Sequence, residues 1–388
     1  MVESLTVRGS SIGTEDGKSV AVKKVVKKYW FVAAGTGGHI FPGIAIAREI
    51  RALEPDSRFL FFGTRDRLEA RLVPEAGFPI RFLSAGKWKG TGIRGRLLGL
   101  LSIGLGFLQV SLLLLKGRPD CLIGVGGYVS VPTALACLLF RVPFYIVEPN
   151  IRAGLANRLL SRFARRAFSL PGGDAQRVLR CPVVDAGSPV REGLKPVEIR
   201  AEVKRVLVFG GSQGALALCE ASLRLARDLE FGRRGIELLL QSGEKNFEHA
   251  QSRAAELQVQ DAARVVSFIG DVPGTLAATD LVLARAGANS VAELAITGLP
   301  TIFVPFPYAA DDHQRVNAEI LEKAGAARLV DERETDFQPK LEKAVRELAL
   351  TEGHRERRIA VAESFRAFGR PGAARDIAAA ITANSPSS

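Results

Sequence analysis

Residues 29–43 read YWFVAAGTGGHIFPG: an apolar run, then four glycines around a single histidine and a proline. The run 29–34 is aromatic and β-branched, which predicts a buried strand. Glycine placed straight after a strand permits positive φ and close approach of the backbone to a ligand. The segment that follows, GIAIAREIRALE, has the 3–4 apolar spacing of a helix. A strand, a glycine loop and a helix form the opening unit of a doubly wound α/β domain. The free N–H groups and partial positive charge at such a helix start suit a phosphate.

The same alternation runs through the chain. Further strands are predicted at 58–62, 121–125 and 143–147, then at 205–209, 236–241, 264–268, 280–284 and 301–305. Helix-length segments separate most of them, which implies parallel sheets. Near the middle, DAGSPVREGLKPVEIR (185–200) carries two prolines, two glycines and mixed charge, and a fresh strand follows it. It reads as the linker between two Rossmann-like domains, whose strand ends face each other across a cleft. The expected division is a polar, disordered extension at 1–27, a first domain at 28–190, a second at 191–365, and a last helix with a short tail at 366–388.

The 388 residues are 47% hydrophobic and 24% charged, a globular composition. The net charge of +12 implies an acidic partner such as anionic lipid or a phosphorylated small molecule. Aromatic residues make up 7%, with no basic-aromatic block for stacking bases, so nucleic acid is not expected as a partner. The four cysteines lack CxxC spacing, which fits a reducing compartment. The four histidines have no metal-type spacing, and no metal is expected. Residues 97–115 contain no charge. A core helix, a membrane span and a helix with its outer side on lipid compete for that segment, and the third is favoured. Lys87, Trp88, Lys89, Arg94 and Arg96 just before or at its start suit an anionic membrane face.

Three loops share the strand-to-helix position: GTGGH (35–39), GVGGYVS (124–130) and GGSQGA (210–215). None fits a dinucleotide fingerprint with its acidic residue or a Walker A loop, so no nicotinamide, flavin or NTPase cofactor is expected. Ser212 is placed either to donate to a phosphate or simply to cap its helix. Glu293 is either a cleft carboxylate for a ribose or a surface residue. Asp312, His313, Gln314 and Asn317 suit either sugar hydroxyls or a capping cluster.

These motifs, with EPNIRAGLANR, GSPVRE, GANSVAELAITGLPTIFVPFP and DDHQRVNA, resemble the MurG family of peptidoglycan N-acetylglucosaminyltransferases from about residue 29 to 383. The resemblance implies a GT-B fold in which the last helix crosses back to the first domain. It implies metal-free inverting transfer of N-acetylglucosamine from UDP-N-acetylglucosamine to the C4 hydroxyl of lipid I. It places the enzyme peripherally on the cytoplasmic side of the cell inner membrane, with a cell-wall synthesis complex as a further partner. By the same resemblance, Thr36, Gly37, Gly38 and Tyr128 belong to loops that cradle the acceptor diphosphate. Arg191, Ser212 and Gln213 attend the UDP phosphates, Ile269 the uracil and Glu293 the ribose. Asn150, His313 and Gln314 contact the sugar. His39 is the candidate base, with substrate hydrogen bonding or loop ordering as the alternative. Two stretches depart from the family pattern: Val147-Glu148-Pro149-Asn150 where HEQN is usual, and Arg285-Ala286-Gly287-Ala288 where RSGA is usual. A glycolipid synthase with a diacylglycerol acceptor, or a non-catalytic sugar-nucleotide binding protein, would share part of this pattern.

Overall fold

The computed structural model describes residues 26–35, 37–84, 93–210, 215–309 and 312–384. Two all-parallel sheets organise it. The first holds β1 (Lys28–Ala33), β2 (Arg58–Gly63), β3 (Ile80–Phe82), β4 (Cys121–Gly126), β5 (Phe144–Glu148), β6 (Arg166–Ser169) and β7 (Val183–Asp185), in the order β3-β2-β1-β4-β5-β6-β7. The second holds β8 (Arg205–Phe209), β9 (Glu237–Gln241), β10 (Ala263–Val266), β11 (Leu281–Ala284), β12 (Thr301–Phe303) and β13 (Arg328–Leu329), in the order β10-β9-β8-β11-β12-β13. Strand order reverses beside β1 in the first sheet and beside β8 in the second. These two points are where an open α/β sheet leaves a crevice for a ligand.

The strands are apolar on both sides because helices cover both faces. Alternate residues of β1 show it. Tyr29, Phe31 and Ala33 join one core layer with Ile40 and Ile46. Trp30 and Val32 join the opposite layer with Val110 and Leu114. In β8, Val206 and Val208 face one layer while Leu207 and Phe209 face the other. The strands the sequence did not signal, β3, β6, β7 and β13, are two to four residues long and lie toward the sheet edges. That length is too short to display a period. Between β7 and β8, residues 186–204 form neither helix nor strand.

Most of the extension expected at 1–27 lies outside the described residues. Its last residue is not free: Lys27 Nζ pairs with Glu54 at 2.8 Å, and the Lys27 carbonyl accepts the Arg58 N–H. Order therefore begins before β1.

The charge-free run forms most of a helix, Ile93–Lys116, which packs beside the Ser130–Leu139 helix. Its own Val110 and Leu114 are buried against the sheet layer of Trp30 and Val32. Leu101, Leu105, Leu108, Leu112 and Leu115 recur at intervals of four and three, so they form one face, and each is more than half exposed. A wholly buried core helix is thereby excluded. This helix connects β3 to β4, so its other side is held within the domain.

The last helix, Ala373–Asn384, packs on the Gly37–Leu53 helix. Ile377, Ala378 and Ile381 are fully buried in the same core layer as Tyr29 and Phe31. The chain thus returns to its first sheet after completing the second. Truncating Ile377 to Ala should destabilise the first domain by about 2–5 kcal/mol. Urea unfolding of the full chain tests this, and an unchanged midpoint would show that the last helix is not part of that core.

Candidate active site

The loops after β1, β4, β8 and β11 all emerge at the two points of strand reversal. In the first sheet they meet. His39 is the third residue of the Gly37–Leu53 helix, and its ring lies against the backbone of Gly126. A Cβ on Gly126 would come within 2.8 Å of the His39 ring, and one on Gly127 within 2.6 Å of the Ala34 carbonyl oxygen. Both glycines also have positive φ, +131° and +89°. The glycines of the second loop therefore make room for the histidine of the first. Gly37 is buried, whereas Gly38, His39 and Tyr128 are partly exposed around this junction. Thr36 lies outside the described residues.

Beneath the junction sits a carboxylate that the sequence did not signal. Glu69 is fully buried and accepts the Gly35 N–H at 3.1 Å, with the Thr64 N–H and hydroxyl at 3.0 Å each. Burial holds the His39 imidazole below the ordinary value of 6.5. The Ala34 carbonyl and the Glu69 charge oppose that shift, although among the described residues the buried Nδ1 finds no hydrogen-bond partner of good geometry. The charge of His313, from the second domain, lowers it further. The ring is therefore neutral at pH 7, the form that can accept a proton.

After β5, the departure from the family pattern has a visible structure. Glu148 is 1% exposed, and its Oε1 accepts both the backbone and side-chain amides of Asn150 at 3.0 Å. Its Oε2 accepts the Gly154 N–H at 2.8 Å and Asn157 Nδ2 at 2.9 Å. Burial pushes this carboxyl upward, and the four N–H donors pull it back. Asn150 is fixed by a carboxylate despite Pro149 before it.

On the second domain, Arg191 Nε pairs with Glu293 Oε1 at 2.7 Å, and Asn289 Nδ2 donates to the same oxygen at 3.1 Å. Glu293 is 1% exposed, so the surface alternative for it is excluded. Burial raises its carboxyl, and Arg191 opposes that. The Arg191 guanidinium also lies 4.2 Å from the centre of the Phe41 ring, which belongs to the first domain. The candidate phosphate and ribose ligands are thus partners of each other, braced across the cleft.

Gln314 Oε1 accepts the Phe306 N–H at 3.0 Å, and His313 opens the helix His313–Lys323. Asn317 Nδ2 donates to the Ala286 carbonyl at 2.8 Å, tying this helix to the loop after β11. Ile269 stands apart on the loop after β10, buried with Phe209 and Leu239. Ser212 and Gln213 lie outside the described residues. Among the described residues, no group of three or more His, Cys, Asp or Glu could hold a metal ion.

Two facing doubly wound domains, each with a crevice at its strand reversal, make up the GT-B fold. Residues 29–169 match the glycosyltransferase family 28 N-terminal domain and residues 205–368 its C-terminal domain, so the chain belongs to family 28 and, within it, to the MurG family. It is 41% identical, over 89% of its length and 90% of the relative's, to the UDP-N-acetylglucosamine--N-acetylmuramyl-(pentapeptide) pyrophosphoryl-undecaprenol N-acetylglucosamine transferase of Anaeromyxobacter sp. (strain Fw109-5). Its identity to the Myxococcus xanthus (strain DK1622) protein of the same description is 35%, over 90% and 91% of the two chains. It is also similar to the crystal structure of Acinetobacter baumannii MurG, with a TM-score of 0.71 and 28% identity over 92% of this chain and 99% of that one.

If neutral His39 is the working form, kcat/KM should fall as pH drops through the lowered imidazole value, below 6.5. His39→Ala should abolish that limb and cost about 10²–10⁴-fold in kcat. A pH profile of both proteins checks this, and an acidic limb at or above the ordinary imidazole value would contradict the burial argument.

Proposed function

We propose that the chain transfers N-acetylglucosamine from UDP-N-acetylglucosamine to the C4 hydroxyl of the muramoyl sugar of lipid I, with inversion at the anomeric carbon, giving lipid II. The observation that carries this reading is the docking of His39 on the Gly126 loop, while Phe41, two residues on in the same helix, carries the guanidinium of the Arg191–Glu293 pair over its ring. The acceptor hydroxyl attacks the anomeric carbon while the bond to UDP breaks. The hydroxyl proton passes to the His39 imidazole, and the bonding electrons leave with the diphosphate. That developing charge is met by the start of the Leu216–Asp228 helix and by Arg191. A nucleotide that recruits the Glu293 carboxylate for its ribose competes with Arg191 for it. Releasing Arg191 toward the phosphates serves both contacts at once.

In this reading residues 28–190 bind acceptor and membrane, 191–365 bind the donor, and 366–388 return to the first domain. Thr36, Gly37, Gly38 and Tyr128 cradle the acceptor diphosphate. Ser212 and Gln213 attend the donor phosphates and Ile269 the uracil. Asn150, His313 and Gln314 contact the sugar. No metal, cofactor or nucleic acid takes part.

The enzyme acts peripherally on the cytoplasmic face of the inner membrane, where a cell-wall synthesis complex is a further partner. Two features support an anionic lipid surface. One is the exposed leucine face of the Ile93–Lys116 helix. The other is a cleft of about 510 Å³ beside it, lined by Arg65, Arg81, Lys116 and Gln109 among apolar side chains and, among the described residues, by no carboxylate. The Lys87-Trp88-Lys89 stretch lies outside the described residues.

Labelled N-acetylglucosamine should pass from UDP-N-acetylglucosamine to a soluble lipid I analogue in the presence of EDTA. Donor binding without product would shift the acceptor to a diacylglycerol, and failure to bind the donor would overturn the reading. Replacing Leu105 and Leu108 together by Ser should weaken binding to anionic vesicles by more than about tenfold. Turnover of the soluble acceptor should be unchanged in that variant, and full retention of vesicle binding would refute the membrane face.

A further inference from the structure

The loop between β12 and the His313–Lys323 helix leads directly into both sugar candidates of the second domain, His313 and Gln314 in the first turn of that helix, and it is held from outside by three consecutive charged residues, 331–333. At the start of the loop, Arg285 Nη1 donates to the Val304 and Pro305 carbonyls at 3.0 Å each. The same guanidinium lies 5.6 Å from the centre of the Phe306 ring and pairs with Glu332 at 2.7 Å. Both partners of that pair are nearly buried, with side-chain exposures of 9% and 11%. Phe306 then donates its N–H to Gln314. At the end of the loop, Asp312 has positive φ, +51°, and its carboxylate lies 3.4 Å from Arg333 Nη2. Arg333 is itself clamped on Asp331 at 2.7 Å, and Asp331 also takes Arg315 at 3.1 Å. Glu332 and Arg333 therefore fix opposite ends of one loop through Arg285 and Asp312.

We propose that Glu332 and Arg333 are positioning residues that set the geometry of this loop and so of His313 and Gln314 at the helix start that follows it, and through them the preference for an acetamido sugar over a plain hexose. The proposal rests on the reading that His313 and Gln314 contact the donor sugar. Neither residue is assigned to substrate, so each acts through the loop. Loss of the Glu332 charge leaves Arg285 buried without its counter-ion beside the two carbonyls, and the loop must shift to relieve it. Discrimination between substituents on a sugar depends on hydrogen-bond geometry, and a displacement of about 1 Å is enough to degrade it. The uridine and diphosphate ligands Arg191, Ile269 and Glu293 lie on other segments and are not moved.

The test is a pair of affinities on the full chain, for UDP and for UDP-N-acetylglucosamine, together with kcat/KM for UDP-N-acetylglucosamine against UDP-glucose. In Glu332→Gln and Arg333→Ala, UDP affinity should stay within about twofold of the parent protein. Affinity for UDP-N-acetylglucosamine should fall about tenfold, and the preference over UDP-glucose should fall in parallel. Arg333→Lys should restore part of that preference. Equal weakening of UDP and UDP-N-acetylglucosamine, or no change in either, would overturn the positioning role. Were the parent protein to bind UDP-N-acetylglucosamine no more tightly than UDP, the sugar-contact reading itself would fall. Arg333 is 38% exposed, so its variants carry the test even if Glu332→Gln does not fold.

Discussion

β1 pairs in parallel with β2 on one side and β4 on the other, and everything in the first half of the site depends on that double pairing. Helices leaving β1 and β4 cover opposite faces of the sheet, so their first turns diverge and a crevice opens between the two loops. The register is fixed by Tyr29 opposite Cys121 and Trp30 opposite Leu122. It brings Gly126 beneath His39. A slip of one residue would exchange the two core layers and carry the imidazole away from the glycine. The second sheet repeats the arrangement with β8 between β9 and β11. Two crevices of the same construction then face each other, one suited to each phosphorylated substrate.

Buried carboxylates hold these crevices in shape. Glu69 ties the β1 loop to β2, Glu148 shapes the loop after β5, and Glu293 anchors Arg191. Each would be costly to bury alone, and each is met by N–H donors or a guanidinium. The donors to Glu69 and Glu148 include the loop backbone N–H groups of Gly35, Thr64, Asn150 and Gly154, so one charge orders several residues of irregular chain. Glycine-rich loops gain rigidity in this way without losing their close approach to a ligand.

Much of this was legible in the sequence. The long strands declared themselves by their apolar and β-branched runs, and the glycine loops by their place behind those strands. That residues 97–115 form a long apolar helix was legible from their length and lack of charge, but those two features left a core helix, a span and a half-exposed helix all open. The short outer strands were not legible, because two to four residues carry no clear period. Glu69 was invisible for a different reason. LEARLVPE reads as an ordinary surface helix, and only the tertiary approach of Gly35 and Thr64 gives its carboxylate work to do. The Arg191–Glu293 pair spans 102 residues, a separation at which no local pattern can reveal a contact. The sequence left Asn317 open between a sugar contact and a structural role, because the contact of its amide with the Ala286 carbonyl lies 31 residues away in the chain.

The return of the final helix has a bearing on biogenesis. Ile377, Ala378 and Ile381 fill a core layer whose other members include Tyr29, Phe31 and Ile40. Chains emerge from the ribosome amino end first, and domains tend to fold in that order as they appear. Here the leading domain waits for the last residues to be made, while the trailing domain has most of its own core to hand earlier. The apolar surface left open in that interval, on the Gly37–Leu53 helix, is what a nascent-chain chaperone would find, and premature termination near the end would leave it open for good.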